Sequence, residues 1–297
     1  MKSFDPKEET IQKTHQLLLN DIGPRPIAFV SSIDENGVNN LAPFSFFNAF
    51  SANPPIVVFS PARSGRTSET KDTHENVKKI PEVVINVVTH DIVEKVVLAS
   101  SPYPIEMDEF VEAGFTPIDS DIVRPKRVKE SPVQYECKVL EIKELGTGGA
   151  SGNLVICEVV KIHVREDLLD ENDQIDQKKI NLVARMGGSW YCHSNEASMF
   201  EAERPMTSIG IGFTKIPKDI VESHFLSGNE LAKLGRILTL PNETEVNEFK
   251  LLDLCDLFIS LENEPEKLEE VLHNRAKEYL KENKLEEAWK TLLSFNN

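Results

Sequence analysis

Small polar side chains set among aromatics make Asn39–Pro61, NNLAPFSFFNAFSANPPIVVFSP, the stretch with residues for chemistry. Ser45, Asn48, Ser51 and Ser60 are interspersed with Phe44, Phe46, Phe47, Phe50 and Phe59. A hydroxyl or amide buried without a partner costs stability, so a plain core strand has little use for this many. A small-molecule pocket needs that mixture, with aromatic walls and a few placed donors and acceptors. A Phe-rich strand with two turns accounts for the same residues, and the stretch by itself leaves both readings open.

The next residues, PARSGRTSETKDTHENV from Pro61 to Val77, combine Arg63, Arg66 and Lys71 with Ser64, Thr67, Ser68, Thr70 and Thr73. A helical pattern begins near the end of this segment. Cations, hydroxyls and a helix N-terminus together suit a phosphate group. The alternative is a solvated loop in which Thr70, Asp72 or Thr73 is an ordinary N-cap. Other candidates for chemistry are weaker. The cysteines are Cys137, Cys157, Cys192 and Cys255, with no CxxC pair and no zinc spacing to a histidine. Cys192 and His193 are neighbours, but adjacent side chains on a strand point to opposite faces, which argues against a thiolate–imidazole nucleophile. The glycine-rich GTGGASG between two strand-like runs lacks the Lys-Ser or Lys-Thr of a phosphate-binding loop and reads as a hairpin tip.

Taken in order, RPIAFVSSIDENGVNNLAPFSFFNAFSANPP, FSPARSGRTSETKDTHENV, VINVV and LVARMGGSWYC resemble the flavin reductase-like family of FMN-binding split-barrel proteins. The resemblance extends roughly from Asp21 to Pro205, and its most specific parts are APFSFFNAFSANPP and KDTHENV in that order. It implies non-covalent FMN, in preference to FAD, at the interface of a homodimer, with NADH or NADPH as electron donor. It assigns Asn40, Phe44, Ser45, Phe46, Asn48 and Ser51 to the isoalloxazine side. Ser60, Arg66, Lys71, Asp72, Thr73 and Asn76 fall to the phosphate and ribityl side, and Arg185, Ser189 and Tyr191 to a late strand returning to the pocket. No side chain need be the catalyst, since hydride transfer is the cofactor's chemistry, and no metal is implied. The Gly-Asp-His stretch of short two-component reductases is missing, and the chain has Arg185-Met186-Gly187-Gly188 instead. A flavoredoxin-like carrier reduced by a protein partner is therefore a second reading, and a flavin-binding module without enzyme activity a third. A monooxygenase partner belongs with the first.

The elements that must position these residues follow from pattern. The chain has 297 residues, 40% hydrophobic and 28% charged, ordinary for a globular protein. With 33 Lys and Arg against 49 Asp and Glu the net charge is −16, which disfavours nucleic acid as a partner. No apolar run approaches the ~20 residues of a membrane span, and MKSFDPKEET is not a signal peptide, so a cytoplasmic protein is expected. Lys7–Asn20 reads as a short helix or entry arm. A strand from Ile22, a turn at Asp34–Gly37 and a return through VNNLAPFSFF read as an antiparallel hairpin. Further strands are expected at Ile56–Phe59, Val83–Val88, Val133–Lys143 and Asn153–Val164, with Asn181–Cys192 closing the barrel. Asp91–Ala99 reads as a helix capped by Thr89 or Asp91, and Ser100–Lys129 as a long excursion with a short helix ended by Gly114.

From Thr207 the pattern turns helical, with apolar residues near helical spacing over Asn242–Glu262, Pro265–Lys284 and Glu287–Phe295. The expected fold is mainly β with α (α+β): an antiparallel split β-barrel of about six strands with peripheral helices over 1–206, and a helical C-terminal extension over 207–297.

Overall fold

The computed structural model describes residues 1–202 and 208–295. They form two compact units, Met1–Phe200 and Glu201–Asn297. The boundary expected between 206 and 207 lies outside the described residues. Among the described residues, no helix is long and apolar enough to cross a membrane.

The first unit opens with α1 (Ile11–Asp21), β1 (Ala28–Ile33), β2 (Asn39–Phe44), β3 (Phe47–Ala52) and β4 (Pro55–Phe59). It continues with α2 (Asp72–Lys79), β5 (Glu82–Val87), α3 (Val93–Ala99), α4 (Glu109–Glu112), β6 (Pro117–Ile118) and β7 (Arg127–Val128). The long strands β8 (Val133–Glu144) and β9 (Asn153–Val164) follow, then β10 (Val183–Arg185) and β11 (Tyr191–His193). Seven strands form one antiparallel sheet in the order β2-β1-β5-β8-β9-β4-β3. Its two edge strands, β2 and β3, are consecutive in sequence and joined by Ser45 and Phe46 alone. A link of two residues reaches roughly 10 Å. The sheet must therefore curl until its edges meet at that link, which makes it a barrel split between β2 and β3.

Residue types explain why β1 runs through the middle of this arrangement. All six of its residues are buried. Successive side chains on a strand face opposite ways. Ala28 and Val30 join Val57, Phe59, Val83, Ile85, Cys137, Val155 and Cys157 on one face. Phe29 joins Leu41, Val88, Val96, Phe110 and Phe115 on the other, under α3 and α4. The β1–β2 turn closes as expected. The Asp34 carboxylate accepts from the N–H groups of Asn36 and Val38 at 2.9 and 2.8 Å, and Gly37 takes φ +82°. That conformation favours glycine.

Three expectations need correction. Asn181–Cys192 does not add a barrel strand; β10 and β11 form a separate two-stranded ribbon. Backbone bridges fasten it at Arg25–Arg185 and Thr89–Leu182, just beyond the ends of β1 and β5. Those strands are already paired with each other there, so the ribbon extends that end of the barrel. Neither Thr89 nor Asp91 caps α3, because a single 3-10 turn, His90–Ile92, comes first and Ile92 is the cap residue. At α2 the cap residue is Lys71, with no side-chain cap bond. Gly114 does follow α4 with φ +69°, the usual stop for a helix.

The second unit contains α5 (Lys218–Val221), α6 (Gly228–Leu234), α7 (Glu243–Phe249), a π-helical turn (Lys250–Leu254), α8 (Cys255–Ser260), α9 (Pro265–Lys281) and α10 (Leu285–Leu293). Capping boxes start α6 (Ser227 with Glu230) and α7 (Asn242 with Glu245). Leu268, Leu272, Ala276 and Leu280 form the buried stripe of α9. Trp289 is fully buried and donates from Nε1 to the Leu234 carbonyl at 3.0 Å. The five-residue π turn breaks the helical register and leaves Leu251 and Leu252 outward, 70% and 84% exposed.

Candidate functional site

The expected site residues fall into several groups. Four converge. Ser45 leaves the end of β2, while Arg185, Ser189 and Tyr191 belong to the ribbon, and all four line one cleft of about 540 Å³. Ile27, Pro43 and Val97 give this cleft apolar walls, and Glu94 and Ser100 of the α3 region complete its polar lining. Arg185 is held in place: its Nη2 donates to the Gly188 carbonyl at 2.5 Å, and its guanidinium lies 4.5 Å from the centre of the Tyr191 ring. A planar cation over an aromatic ring is a favourable pair. Ser189 sits in the turn between β10 and β11 rather than on a strand.

Asn40, Thr73 and Asn76 form a second group, buried and bonded to one another or to Ser32. Asn40 Nδ2 donates to Thr73 Oγ1 at 2.9 Å and Ser32 Oγ at 3.2 Å, and Asn76 Nδ2 donates to Ser32 Oγ at 3.1 Å. These bonds join β1, β2 and the first turns of α2. Asp72, Asn40 and Asn76 border a small cleft that also contains Asp34 and Glu109. Burial pushes the Glu109 carboxyl above its ordinary range despite a hydrogen bond from the Leu41 N–H, and Asp108 and Asp72 add to the shift. A phosphate dianion is repelled by these carboxylates, so this flank of α2 does not suit one.

The remaining residues lie apart. Phe44 packs its ring 5.6 Å from Phe59 against the barrel core. Phe46, Asn48 and Ser51 are exposed at the open edge of the sheet, on and just before β3. Ser60 is buried, and its Oγ accepts from the Asn153 N–H at 3.0 Å. Arg66 and Lys71 are exposed. Arg66 shares a groove of about 620 Å³ with Thr10, His15, Arg63 and Gly65. The GTGGASG tip braces this loop. Arg63 N–H donates to the Ser151 carbonyl at 2.9 Å, and Ala150 N–H to the Arg63 carbonyl at 3.2 Å. A Cβ at Gly149 would lie 3.1 Å from the Gly65 carbonyl oxygen, a contact tight enough that a larger residue would push the two loops apart by a few tenths of an ångström.

Three positioning residues escaped the sequence reading. Arg25 is 5% exposed and donates to the carbonyls of Leu19, Ile22 and Met186 at 2.8, 2.6 and 2.9 Å. It thereby ties the end of α1 to the ribbon that brings Arg185, Ser189 and Tyr191 to the cleft. Burial lowers its pKa, and the charge of Arg185 lowers it further. Its only sequence signal is a cation between Pro24 and Pro26. Ser32 is one of two adjacent serines in an otherwise apolar strand.

Glu136 is fully buried in β8, and its oxygens accept from the N–H groups of Asp121, Ile122 and Val123 and pair with His163 Nε2 at 2.7 Å. Burial raises its pKa, but these hydrogen bonds outweigh that and leave it below the usual range. Asp121, Glu136 and His163 bring ligand-type atoms within 4.8 Å of one another. Glu136's oxygens are already taken, and Lys161 pairs with Asp121. The cluster is a loop anchor.

Comparison with known proteins agrees with this architecture. An uncharacterized protein of Aquifex aeolicus is 35% identical over 189 residues, 63% of this chain and 93% of its own length. The crystal structure of nitrilotriacetate monooxygenase component B from Bacillus cereus is 32% identical with a TM-score of 0.64, covering 68% of this chain and 98% of that one. The 2-nitrobenzoate 2-nitroreductase of Pseudomonas fluorescens is 27% identical with a TM-score of 0.61, covering 70% of this chain and 100% of that one. A family model described as flavin reductase like domain matches residues 22–179, which hold the barrel, and this chain belongs to that family.

Proposed function

We propose that this chain is an FMN-binding flavoprotein oxidoreductase that passes electrons through non-covalently held flavin. The observation that carries the reading is the meeting of Ser45, Arg185, Ser189 and Tyr191 in one apolar-walled cleft, although Ser45 and Arg185 are far apart in sequence. FMN, when bound, supplies the hydride chemistry. Ile27, Pro43 and Val97 are suited to its ring faces, and the hydroxyls and Arg185 to its polar edge, where a cation favours the electron-rich reduced ring. Phe46, Asn48 and Ser51 have no such wall of their own. A second copy of the chain, covering β3 and the 68% exposed Phe50, completes their side of the site.

The phosphate end belongs with Arg66, Lys71 and the start of α2, on the flank away from Asp34 and Glu109. With a net charge of −16, long-range attraction cannot hold an anion, so local donors must. Lys71→Ala is expected to weaken FMN by about 1.5–3 kcal/mol while leaving riboflavin, which lacks the phosphate, nearly unchanged. Fluorescence titration of both flavins checks this, and equal losses would move the phosphate elsewhere.

The electron source separates two versions of the proposal. Similarity to a monooxygenase component favours an NAD(P)H-dependent reductase serving an oxygenase. The Arg185–Gly188 stretch in place of Gly-Asp-His favours a carrier reduced by another protein. Anaerobic addition of NADH and of NADPH to the FMN-loaded protein decides: prompt bleaching of the flavin band is expected of the reductase, and an unchanged band of the carrier.

A further inference from the structure

The second unit carries an apolar face that its own core does not use. α7, the π turn and α8 form one continuous helix over Glu243–Ser260. The inner side of this helix is already packed. Leu254 is 1% exposed and joins Leu268 and Leu272 of α9, with Phe249, Leu257, Phe258 and Leu261 against them. Leu251, Leu252 and Ile259 are left to solvent, Ile259 at 68% exposure. Single exposed apolar side chains are ordinary on a protein surface, but several gathered on one helix face mark an interaction site.

Residues four apart share a row along a helix. Leu251, Cys255 and Ile259 make one row, and Glu248, Leu252 and Asp256 make the row beside it. A π turn interrupts the regular ladder, is rare, and recurs at functional sites. Here it falls where the two leucines turn outward.

Charge decides what can cover this face. Glu243, Glu245, Glu248, Asp253 and Asp256 are exposed on the helix, against one cation, Lys250, whose ammonium lies 4.1 Å from the centre of the Phe258 ring. Glu248 and Asp256 stand on either side of Leu252 in its own row. A second copy of the chain would bring the same carboxylates, and a nucleic acid or an anionic lipid surface would bring phosphates, so all three are repelled. The family match ends at residue 179, before this unit begins, so the face is an addition to the barrel.

We propose that the outer face of Glu243–Ser260 is a docking site for a partner protein that presents a cationic amphipathic helix. An apolar row of that helix lies against Leu251, Leu252 and Ile259, and Lys or Arg on its flank meets Glu248, Asp253 and Asp256. The proposal is independent of the flavin reading.

The test uses the full chain and a fluorescein-labelled synthetic peptide of about 18 residues, made of leucine and lysine with the leucines at helical spacing. Fluorescence anisotropy is expected to give a Kd on the order of 10 μM for this peptide. A scrambled peptide of the same composition should bind about tenfold more weakly, and one with Glu in place of Lys should not bind. Leu252→Ser with Ile259→Ser weakens the patterned peptide about tenfold, and Asp256→Lys weakens it while reducing its salt dependence. These positions are exposed, so an unchanged urea midpoint shows that the variants are folded. Failure of the patterned peptide to bind, equal binding of the scrambled one, or binding that survives both variants overturns the site. A sedimentation mass that falls in the Leu252→Ser, Ile259→Ser protein also overturns it, because the face would then belong to a second copy of the chain.

Discussion

Glu136→Ala lowers the stability of the barrel unit by about 3–5 kcal/mol at pH 7, the usual cost of removing one partner from a buried, hydrogen-bonded ionic cluster. Three N–H groups, those of Asp121, Ile122 and Val123, lose their acceptor, and His163 loses its partner. Glu136→Gln removes less, but its amide end turns N–H toward N–H. The pH dependence has a definite sign. A carboxylate whose folded pKa is depressed contributes stability above its unfolded pKa, and that contribution is lost as pH falls through the folded value. The gap between wild type and Glu136→Gln in urea midpoint should therefore be full at pH 7 and narrow below about pH 4. A gap independent of pH would mean that the carboxylate is not the ionised anchor described.

Arg25→Met has a comparable effect and a different signature. One guanidinium serves three carbonyls on two segments, and hydrogen bonds to a charged group contribute about 1.5–3 kcal/mol each. Water can reach part of the vacated space, so a loss of about 3 kcal/mol is expected in urea unfolding. Arg25→Lys recovers little, because an ammonium lacks the planar fork that reaches both segments. The ribbon loses its fastening to α1, so flavin affinity should fall together with stability even though Arg25 does not line the cleft. Unchanged flavin affinity in a folded Arg25→Met protein would separate the ribbon from the site.

Local signals in the sequence carried much of the fold. The Asn36-Gly37 pair declared the turn at Asp34–Gly37, where Gly37 does take a positive φ, and the β-branched runs of β5, β8 and β9 declared strands. Sustained four-residue spacing made α9 readable. Beyond the two hairpins β1–β2 and β8–β9, what could not be read was pairing. Nothing between Phe44 and Phe47 says that β2 and β3 lie at opposite edges of a curled sheet, because side-chain alternation fixes which way a residue faces but not which strand lies beside it. The short ribbon strands gave no periodicity to distinguish them from a barrel strand. The site residues were legible as types rather than as a constellation. Asn40, Thr73 and Asn76 read as ligand donors but bond to one another through Ser32, which a sequence reading passes over inside AFVSSI. Glu136 stood alone between Tyr135 and Cys137, and its partners are backbone groups that no side-chain pattern announces.

Flavin retention tests the central claim most directly. The purified full chain is incubated with FMN, desalted, and its visible absorbance recorded. The account predicts a flavin band travelling with the protein at about one FMN per chain, with an affinity in the micromolar range or tighter. Protein that emerges colourless, with no change in FMN fluorescence on titration up to about 1 mM, the weak end of specific affinities, would contradict it.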